Sequence, residues 1–497
     1  MQRMAAWVAA PLRAAANALT PSYDAVGGRR RVQNWSPGNE SINALLQGAG
    51  EELRTKARDV IRRNQWAGNA VESFVSNAIG SGIVPQSQHS DPKIREAIHA
   101  AWATWTDEAD SAGVSDFYGL QALACRETVE AGEVFARLRP RRASDGLTVP
   151  LQIQLIEGEH VPLWKNEEFG SSYVRSGIEF SSGGAVRPEK RLAYWMYPEH
   201  PSDNIQRVNN EPKRIPASEV LHVFRPIRAG QHRGETWLAK ILVQLHEIEK
   251  YDSAELMRKQ IAAMFAGFIE DYDPANPLLQ TDEEDDDGTP MGGLEPGTIQ
   301  VLPNGKKITF AEPSDVGGMY PEYMRLQLRK VAAGFMFATY EQLTGDLTGV
   351  NYSSIRAGLL EFRRRCEMFQ FQVMVFQFCR PIWKAWLDAA ALAGVINALD
   401  YARRPGEYLR VEWRPQAWPW VDPLKDLEAE VLAIDNLLKS RSAAIKERGY
   451  DPERVDQEIA DDQKREKSMG LERRDKGTAA QQQPEDQTPQ RKKPNVA

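Results

Sequence analysis

The chain has 497 residues, of which 42% are hydrophobic and 26% charged, with a formal net charge of −7 and a pI of about 5.7. That supports a sizeable core and more than one module, and the acidic balance excludes a protein that grips nucleic acid by neutralising phosphate over its whole surface. Three cysteines, Cys125, Cys366 and Cys379, have neither metal-ligand spacing nor the density of a disulfide framework, which suits a reducing compartment.

Met1 to Thr20 is Ala-rich, but Pro11 and Arg13 break its apolar run, so an amphipathic surface helix or arm is expected there rather than a signal peptide. No run reaches the roughly 18 apolar residues of a membrane span. Residues 21–50, with Gly27-Gly28-Arg29-Arg30-Arg31, read as an extended arm. From Glu51 to Val75 the pattern is helical, and Gly80-Ser81-Gly82 stops it. Two further helices are predicted over 92–109 and 116–131. The period then changes. Val134 to Leu138, Leu151 to Ile156, Tyr173 to Phe180, Leu192 to Tyr197 and Val220 to Phe224 are short β-type runs bounded by Gly and Pro, which makes an α+β block.

Glu235 to Met264 reads as one long helix, with Trp237, Ile241, Leu245 and Ile248 on one face and Lys240, Gln244, Glu247 and Lys250 on another. Residues 265–318 form a Pro- and Gly-rich insert that holds the acidic run Asp282 to Asp287 and strand candidates at Thr298 to Leu302 and Lys307 to Phe310. A second helix is predicted over 320–338, where Tyr320, Met324, Leu328, Val331 and Phe335 make an apolar stripe and Arg325, Arg329 and Lys330 lie off it. The loop Gly345, Asp346, Leu347, Thr348, Gly349, Val350, Asn351 follows, and then a very long helix from Ser353 to Ala393 with a possible interruption at Arg380-Pro381. Residues 407–414 read as a strand, and Lys425 to Ser440 and Ser442 to Arg448 as small helices. The polar end from Gly470 is expected to be disordered.

Motifs for chemistry fail one by one. His246-Glu247 has Lys250 where a zinc protease needs a second His, and Gly305-Lys306 lacks the rest of a phosphate loop. Gly80-Ser81-Gly82 is followed by Pro85, where a dinucleotide loop needs Gly. A calcium loop counted from Glu283, with Gly288 at position six, has Leu294 at position twelve where Glu is needed, so the acidic run reads as a solvated loop. The seven histidines show no ligand spacing with Cys or carboxylates, and no metal, cofactor or catalytic residue is expected. Arg325, Arg329 and Lys330 have two readings: cations turned towards nucleic acid, or partners for acids on a neighbouring helix or subunit. Arg363-Arg364-Arg365 reads as a solvated or intersubunit face. Trp413, Trp418 and Trp420, with Pro415 and Pro419, read as packing of a connecting strand onto helices.

Several short segments in a fixed order carry a resemblance. Arg58-Asp-Val-Ile-Arg-Arg-Asn64, Gly80-Ser-Gly-Ile83, Glu130-Ala-Gly-Glu133, Gln154-Leu-Ile-Glu157, Arg214-Ile-Pro-Ala217 with His222-Val-Phe224, Gly230-Gln-His-Arg-Gly234, Leu294-Glu-Pro-Gly297, Tyr340-Glu-Gln-Leu343, Asp346 and Asn351-Tyr-Ser-Ser354 together resemble the lambda-type portal proteins of tailed bacteriophages, over residues 23–466. The resemblance implies an α+β portal fold of wing, helical stem, clip and crown, assembling into a ring with a central channel. It would make 1–50 an N-terminal arm, 51–234 the wing, 235–264 the first stem helix, 265–318 the clip, and 319–339 the second stem helix. Residues 340–352 would be the tunnel loop, 353–421 the long wing helix and return strand, 422–469 the crown, and 470–497 a disordered tail.

It also implies a non-enzymatic head–tail connector at one capsid vertex. The implied partners are other copies of itself in a ring, typically a dodecamer, double-stranded DNA in transit, large terminase, head-completion or adaptor proteins, and capsid or scaffold protein, with no membrane. The alternatives are a capsid-associated adaptor and a packaging nuclease or ATPase subunit. Gly345 and Gly349 would let the tunnel loop change shape at low cost as DNA passes.

Overall fold

Asn64 shows how local chemistry sets the first elements. The expected helix of 51–75 is two helices, α1 (Ile42–Arg63) and α2 (Gln65–Ala78). The Asn64 backbone N–H closes α1 onto Val60 O at 2.8 Å, and its side-chain oxygen accepts from Trp66 and Ala67 N–H at 3.1 Å each, opening α2. Helix α1 also begins inside the segment expected to be an extended arm, with the Ser41 hydroxyl as its cap. The computed structural model describes residues 38–182, 190–203, 210–264, 268–270, 307–309, 319–335, 339–349, 351–420 and 422–471. The first 37 residues, most of the 265–318 insert with its acidic run, Val350 and the tail lie outside them.

After β1 (Val84–Ser87) come α3 (Pro92–Glu108) and α4 (Phe117–Glu130), opened by Asp91 and Asp116 as predicted from their sequence periods. The strands β2 (Glu133–Pro140), β3 (Leu151–Glu157) and β9 (Val220–Phe224) form an antiparallel sheet in the order β3-β2-β9. A second antiparallel sheet is a meander of β4 (Glu167–Phe169), β5 (Ser172–Arg175), β6 (Ile178–Ser181), β7 (Arg191–Met196) and β8 (Lys213–Pro216). The single run predicted over 173–180 is therefore a hairpin. Ser176 (φ 48°) and Gly177 (φ 77°) form the two-residue turn whose left-handed backbone matches strand twist. Phe135 and Val220 of the first sheet share a buried cluster with Tyr173, Ile178, Phe180 and Tyr194 of the second.

The helix expected from Glu235 starts seven residues later, as α5 (Leu242–Met264). The approach is tied elsewhere: Trp237 N–H donates to Val129 O at 3.1 Å, and short turns over 236–241 lead into the helix. Strands β10 (Phe268–Glu270) and β11 (Lys307–Thr309) pair antiparallel, so the predicted strand at 307–310 is present. Then follow α6 (Tyr320–Gly334), α7 (Tyr340–Thr344) and the long helix. The long helix has three parts: α8 (Tyr352–Phe369), ten residues of wider helix (Gln370–Cys379), and α9 (Arg380–Leu392). The interruption expected at Arg380-Pro381 takes this form. Bonding shifts to i→i+5 just ahead of the proline, as in Arg380 N–H to Val375 O, and the rod continues.

Helix α10 (Ala398–Arg403) precedes the region predicted to be a strand, and α11 (Pro405–Tyr408) takes up its first residues. Only β12 (Val411–Arg414) is extended, and it pairs antiparallel with β1. The last helices are α12 (Pro423–Asp435), α13 (Arg441–Glu447) and α14 (Pro452–Ser468), the third unforeseen although Asp451-Pro452 is a start signal.

One large core joins α1–α4, β2 and β3 to the start of α5, the end of α6 and the long helix. Its centre is aromatic. The Trp102 ring lies 4.8 Å from Trp105, 5.2 Å from Phe117, 5.0 Å from Trp383 and 5.1 Å from Trp386, which clamps α3 and α4 onto α9. The 413–420 tryptophans pack as predicted: Trp413 stands edge-on to Trp383 at 6.2 Å, and Trp418 Nε1 donates to Glu367 at 3.2 Å. Among the described residues, no helix is long and apolar enough to cross a membrane.

Candidate functional site

Helices α5 and α6 run antiparallel side by side. Gln244 Nε2 donates to Gln327 O at 3.2 Å and Oε1 at 3.0 Å, and further along α5 the Tyr251 ring meets Tyr323 at 5.1 Å and Tyr320 at 6.0 Å. The Tyr320 hydroxyl donates to Asp252. Leu245, Ile248, Leu328 and Val331 are buried in the shared core. A side chain at Gly334 would collide with Ile241, so the lack of one lets the two segments close up at the base. The opposite surfaces stay apolar and bare: Val243, Leu256, Met257 and Leu326 are all more than half exposed.

That base is fixed by a buried charge cluster. Glu133, at the start of β2, accepts from Arg54 Nη2 at 2.8 Å, from Arg233 Nε at 3.0 Å to both oxygens, and from Gly234 N–H at 2.8 Å. His222 Nε2 lies 2.9 Å from Glu133 Oε2, and His222 Nδ1 lies 3.3 Å from Arg191 Nη1. A neutral imidazole protonated on Nε2 fits both contacts. Arg233 also donates to Ser176 O at 2.7 Å and Gly158 O at 3.2 Å. Burial alone would raise the Glu133 carboxyl, but Arg233, His222 and Arg54 outweigh it and hold it well below the usual range. Burial pushes His222 down to about 3. Beside the cluster the backbone at Gly234 lies against Gly132 (φ 91°), so neither position has room for a Cβ.

A second cluster lies nearby. Arg58 reaches Glu127 at 2.8 Å and Glu157 and Glu159 at 3.2 Å each, and His200 Nε2 lies 3.3 Å from Glu157. Burial pushes Glu127 up to about 7 despite Arg58. His222 and His200 thus meet carboxylates that are far away in sequence, contacts that no ligand spacing along the chain shows. Glu157, Glu159 and His200 bring three ligand atoms within 4.8 Å, but Arg58 already supplies positive charge there.

The predicted loop is set between α7 and α8. Helix α7 is pinned from below by Asn69 Nδ2, which donates to Leu343 O at 2.6 Å. Gly345 (φ 71°) closes α7 in the left-handed conformation, and Gly349 (φ 76°) turns the chain again. Asp346 organises the turn. Its Oδ1 accepts from Thr348 N–H at 2.9 Å and Thr348 Oγ1 at 2.6 Å, and its Oδ2 from the Tyr340 hydroxyl at 3.3 Å. The Thr348 bonds lower the Asp346 carboxyl, and Arg325 adds to this from α6. Asn351 caps α8 by accepting from Ser354 N–H at 2.8 Å. Leu347, Thr348 and Gly349 are exposed.

Arg325, Arg329 and Lys330 are exposed, and no ion pair to them is found among the described residues. Arg329 sits 5.9 Å above the Tyr340 ring. The fold therefore gathers Arg325, Arg329, Tyr340 and Asp346 at one place and leaves Lys330 in solvent. Arg363 and Arg365 serve their own chain, through Pro419 O at 3.0 Å and Glu361 at 3.2 Å.

Comparison with known proteins covers this whole framework. A family model described as phage portal protein, lambda family, matches residues 28–370. A "Probable portal protein" of Halomonas phage phiHAP-1 is 29% identical over 471 residues, covering 91% of this chain and 88% of that one. Portal protein B of Escherichia phage lambda is 21% identical over 468 residues, covering 86% of each. A chain from the neck of an empty gene transfer agent particle, computed with C6 symmetry, is 12% identical with a TM-score of 0.45, over 81% of this chain and 94% of that one. A chain from the native particle's neck, computed with C12 symmetry, is 13% identical with a TM-score of 0.43, over 86% and 99%. The chain belongs to the lambda family of phage portal proteins.

Proposed function

We propose that copies of this chain close into a ring, a dodecamer in the family's usual form, at one capsid vertex, and that double-stranded DNA enters and leaves through its centre. The family match over 28–370, which spans both antiparallel helices and the 345–351 loop, carries this reading. In it, 51–234 is the wing, α5 and α6 are the stem, 265–318 the clip, 340–352 the tunnel loop, 353–421 the long wing helix with its return strand, and 422–469 the crown. Large terminase and, later, head-completion proteins dock on the ring, and capsid or scaffold protein surrounds it in the virion.

The geometry of the two antiparallel helices and of the loop supports that reading. At 1.5 Å per residue the 23 residues of α5 make a rod of about 35 Å. Its exposed Val243, Leu256 and Met257, with Leu326 of α6, form the kind of apolar surface that a neighbouring copy covers. The loop carries no cation, and the chain is acidic, so a conduit made from it would let phosphate slide rather than hold it. Arg325 and Arg329 lie just beside the loop, where they can guide the strand, with Lys330 exposed on the same helix. Deleting Leu347 to Val350, with Asn351 kept as the cap, is expected to leave rings visible in negative-stain images but to abolish DNA packaging or retention in an assembly assay. Normal packaging by intact rings would remove the loop from the mechanism.

A further inference from the structure

The outer side of the long helix carries a feature that neither a channel nor a core requires. Between α9, the wider helical stretch and β12 lies an open groove of about 780 Å³, floored by Pro381, Trp383, Leu409 and Val411. Phe376 stands at its edge, 63% exposed, and Phe371 on the same helix is 47% exposed. The i→i+5 bonding of 370–379 stacks residues five apart on one face, so the wide turns align these two rings with Arg380 one turn on. A regular α-helix would splay them.

Three cations line the groove: Arg380, Lys384 and Arg410. All three are exposed, and no ion pair to them is found among the described residues. The acids on flanking elements are engaged elsewhere: Asp388 by the Tyr401 hydroxyl at 2.7 Å, Glu407 by Ser90 Oγ at 2.9 Å and Arg404 at 3.4 Å, and Glu412 by Lys446 at 3.0 Å and Arg414 at 3.1 Å. An apolar floor rimmed by uncompensated positive charge is complementary to one kind of ligand.

We infer that this groove is a docking site for a partner-protein segment in which a large apolar side chain is flanked by carboxylates. The apolar residue seats against Phe376, Leu409 and Val411, and the carboxylates meet Arg380, Lys384 and Arg410. A nucleic acid would gain little from a largely apolar floor with three charges.

The test uses full-length assembled protein and a fluorescein-labelled synthetic peptide repeating Asp-Phe-Glu-Glu-Leu. Fluorescence anisotropy should show saturable binding that weakens with salt, and a peptide with Lys in place of each acid should not bind. Lys384→Glu with Arg410→Glu should weaken binding by about tenfold or more, and Phe376→Ala by about tenfold. The milder pair Lys384→Gln and Arg410→Gln should fall between, and unchanged circular dichroism would confirm folding. Equal binding of both peptides, no effect of the variants, or no binding at all would overturn the proposal. Displacement of the peptide by a DNA oligonucleotide at lower concentration would reassign the groove to nucleic acid. A shift of ring size on charge reversal without loss of peptide binding would reassign it to contacts between copies.

Discussion

The junction at Glu133 and the loop 345–351 each hang on one carboxylate and use it in opposite ways. Glu133 is fully buried and draws its partners, Arg54, His222, Arg233 and Gly234, from segments 79 to 101 positions away. Asp346 lies in a solvent-facing turn, and its hydrogen bonds come from Tyr340 and Thr348, six and two positions away. The first carboxylate can be satisfied only by the finished fold. The second is satisfied as soon as a few residues turn. A root fixed by long-range charge and a loop held by local bonds suit the proposed channel, a rigid wall with a movable lining, since local bonds can re-form in another shape without disturbing the core.

Removing Glu133 should produce the largest effect. Glu133→Ala leaves the Arg233 guanidinium buried without its counter-charge and Arg54 with only Glu159 at 3.7 Å, and breaking one side of a buried pair costs about 3–5 kcal/mol. Denaturant unfolding should register that loss, with Glu133→Gln intermediate. The acid side of the pH profile follows from the lowered carboxyl: its contribution is present above the unfolded value of 4.5 and fades as pH falls through the folded value. A loss below about 1 kcal/mol would mean that the junction does not fix the root, and the contrast with the loop would fail.

Glu127 sharpens the same contrast, because it is a buried glutamate with one arginine instead of two. Below pH 4.5 its carboxyl is protonated in both folded and unfolded chains and contributes nothing. Between 4.5 and about 7 the folded chain keeps a proton that the unfolded chain has released, so stability falls as pH rises. Above about 7 the full penalty is in place, up to about 3 kcal/mol. Glu127→Gln should flatten the thermal midpoint across that window relative to the parent. If the variant is instead less stable at every pH, the Arg58 pair outweighs burial, and Glu127 belongs with Glu133 as an ionised anchor.

The difference between the two regions also explains what could be read in the sequence. The loop was legible from Gly345 and Gly349, neighbours in a short stretch between two helical patterns, while the turn at Asp346 and the cap at Asn351 are local bonds that the structure adds. The α5–α6 stripes and the five main β-runs were legible for the same reason, since period alone specifies them. The break at Asn64 and the hairpin at Ser176-Gly177 were local too, but each rests on one residue in an unusual backbone or capping role inside an otherwise continuous pattern. The delayed start of α5 and the Glu133 cluster were not legible. They depend on Val129 and Trp237, or Arg54 and Arg233, meeting in space, and no spacing rule connects such positions. Glu130-Ala-Gly-Glu133 and Gly230-Gln-His-Arg-Gly234 stood out as segments, yet only the fold shows that one neutralises the other and that Gly132 and Gly234 are the crossing point.

The smallest expected effect comes from the loop's downstream end. Asn351 accepts one hydrogen bond from Ser354 N–H and has no long-range partner among its described contacts. Asn351→Ala removes a helix cap, a change of about 1 kcal/mol, whereas Asn351→Asp or Asn351→Ser keeps an acceptor in place. Because α8 is anchored further along by Phe362, Cys366 and Phe369 in the core, the loss should stay in its first turn. Hydrogen exchange should therefore speed up at the amides of 353–355 in the Ala variant alone, with the global unfolding midpoint almost unmoved. If exchange instead accelerates in α7 and α6 as well, the loop is coupled to the two antiparallel helices rather than hinged on them, and deletion of Leu347 to Val350 would disturb the proposed ring wall as much as its proposed lining.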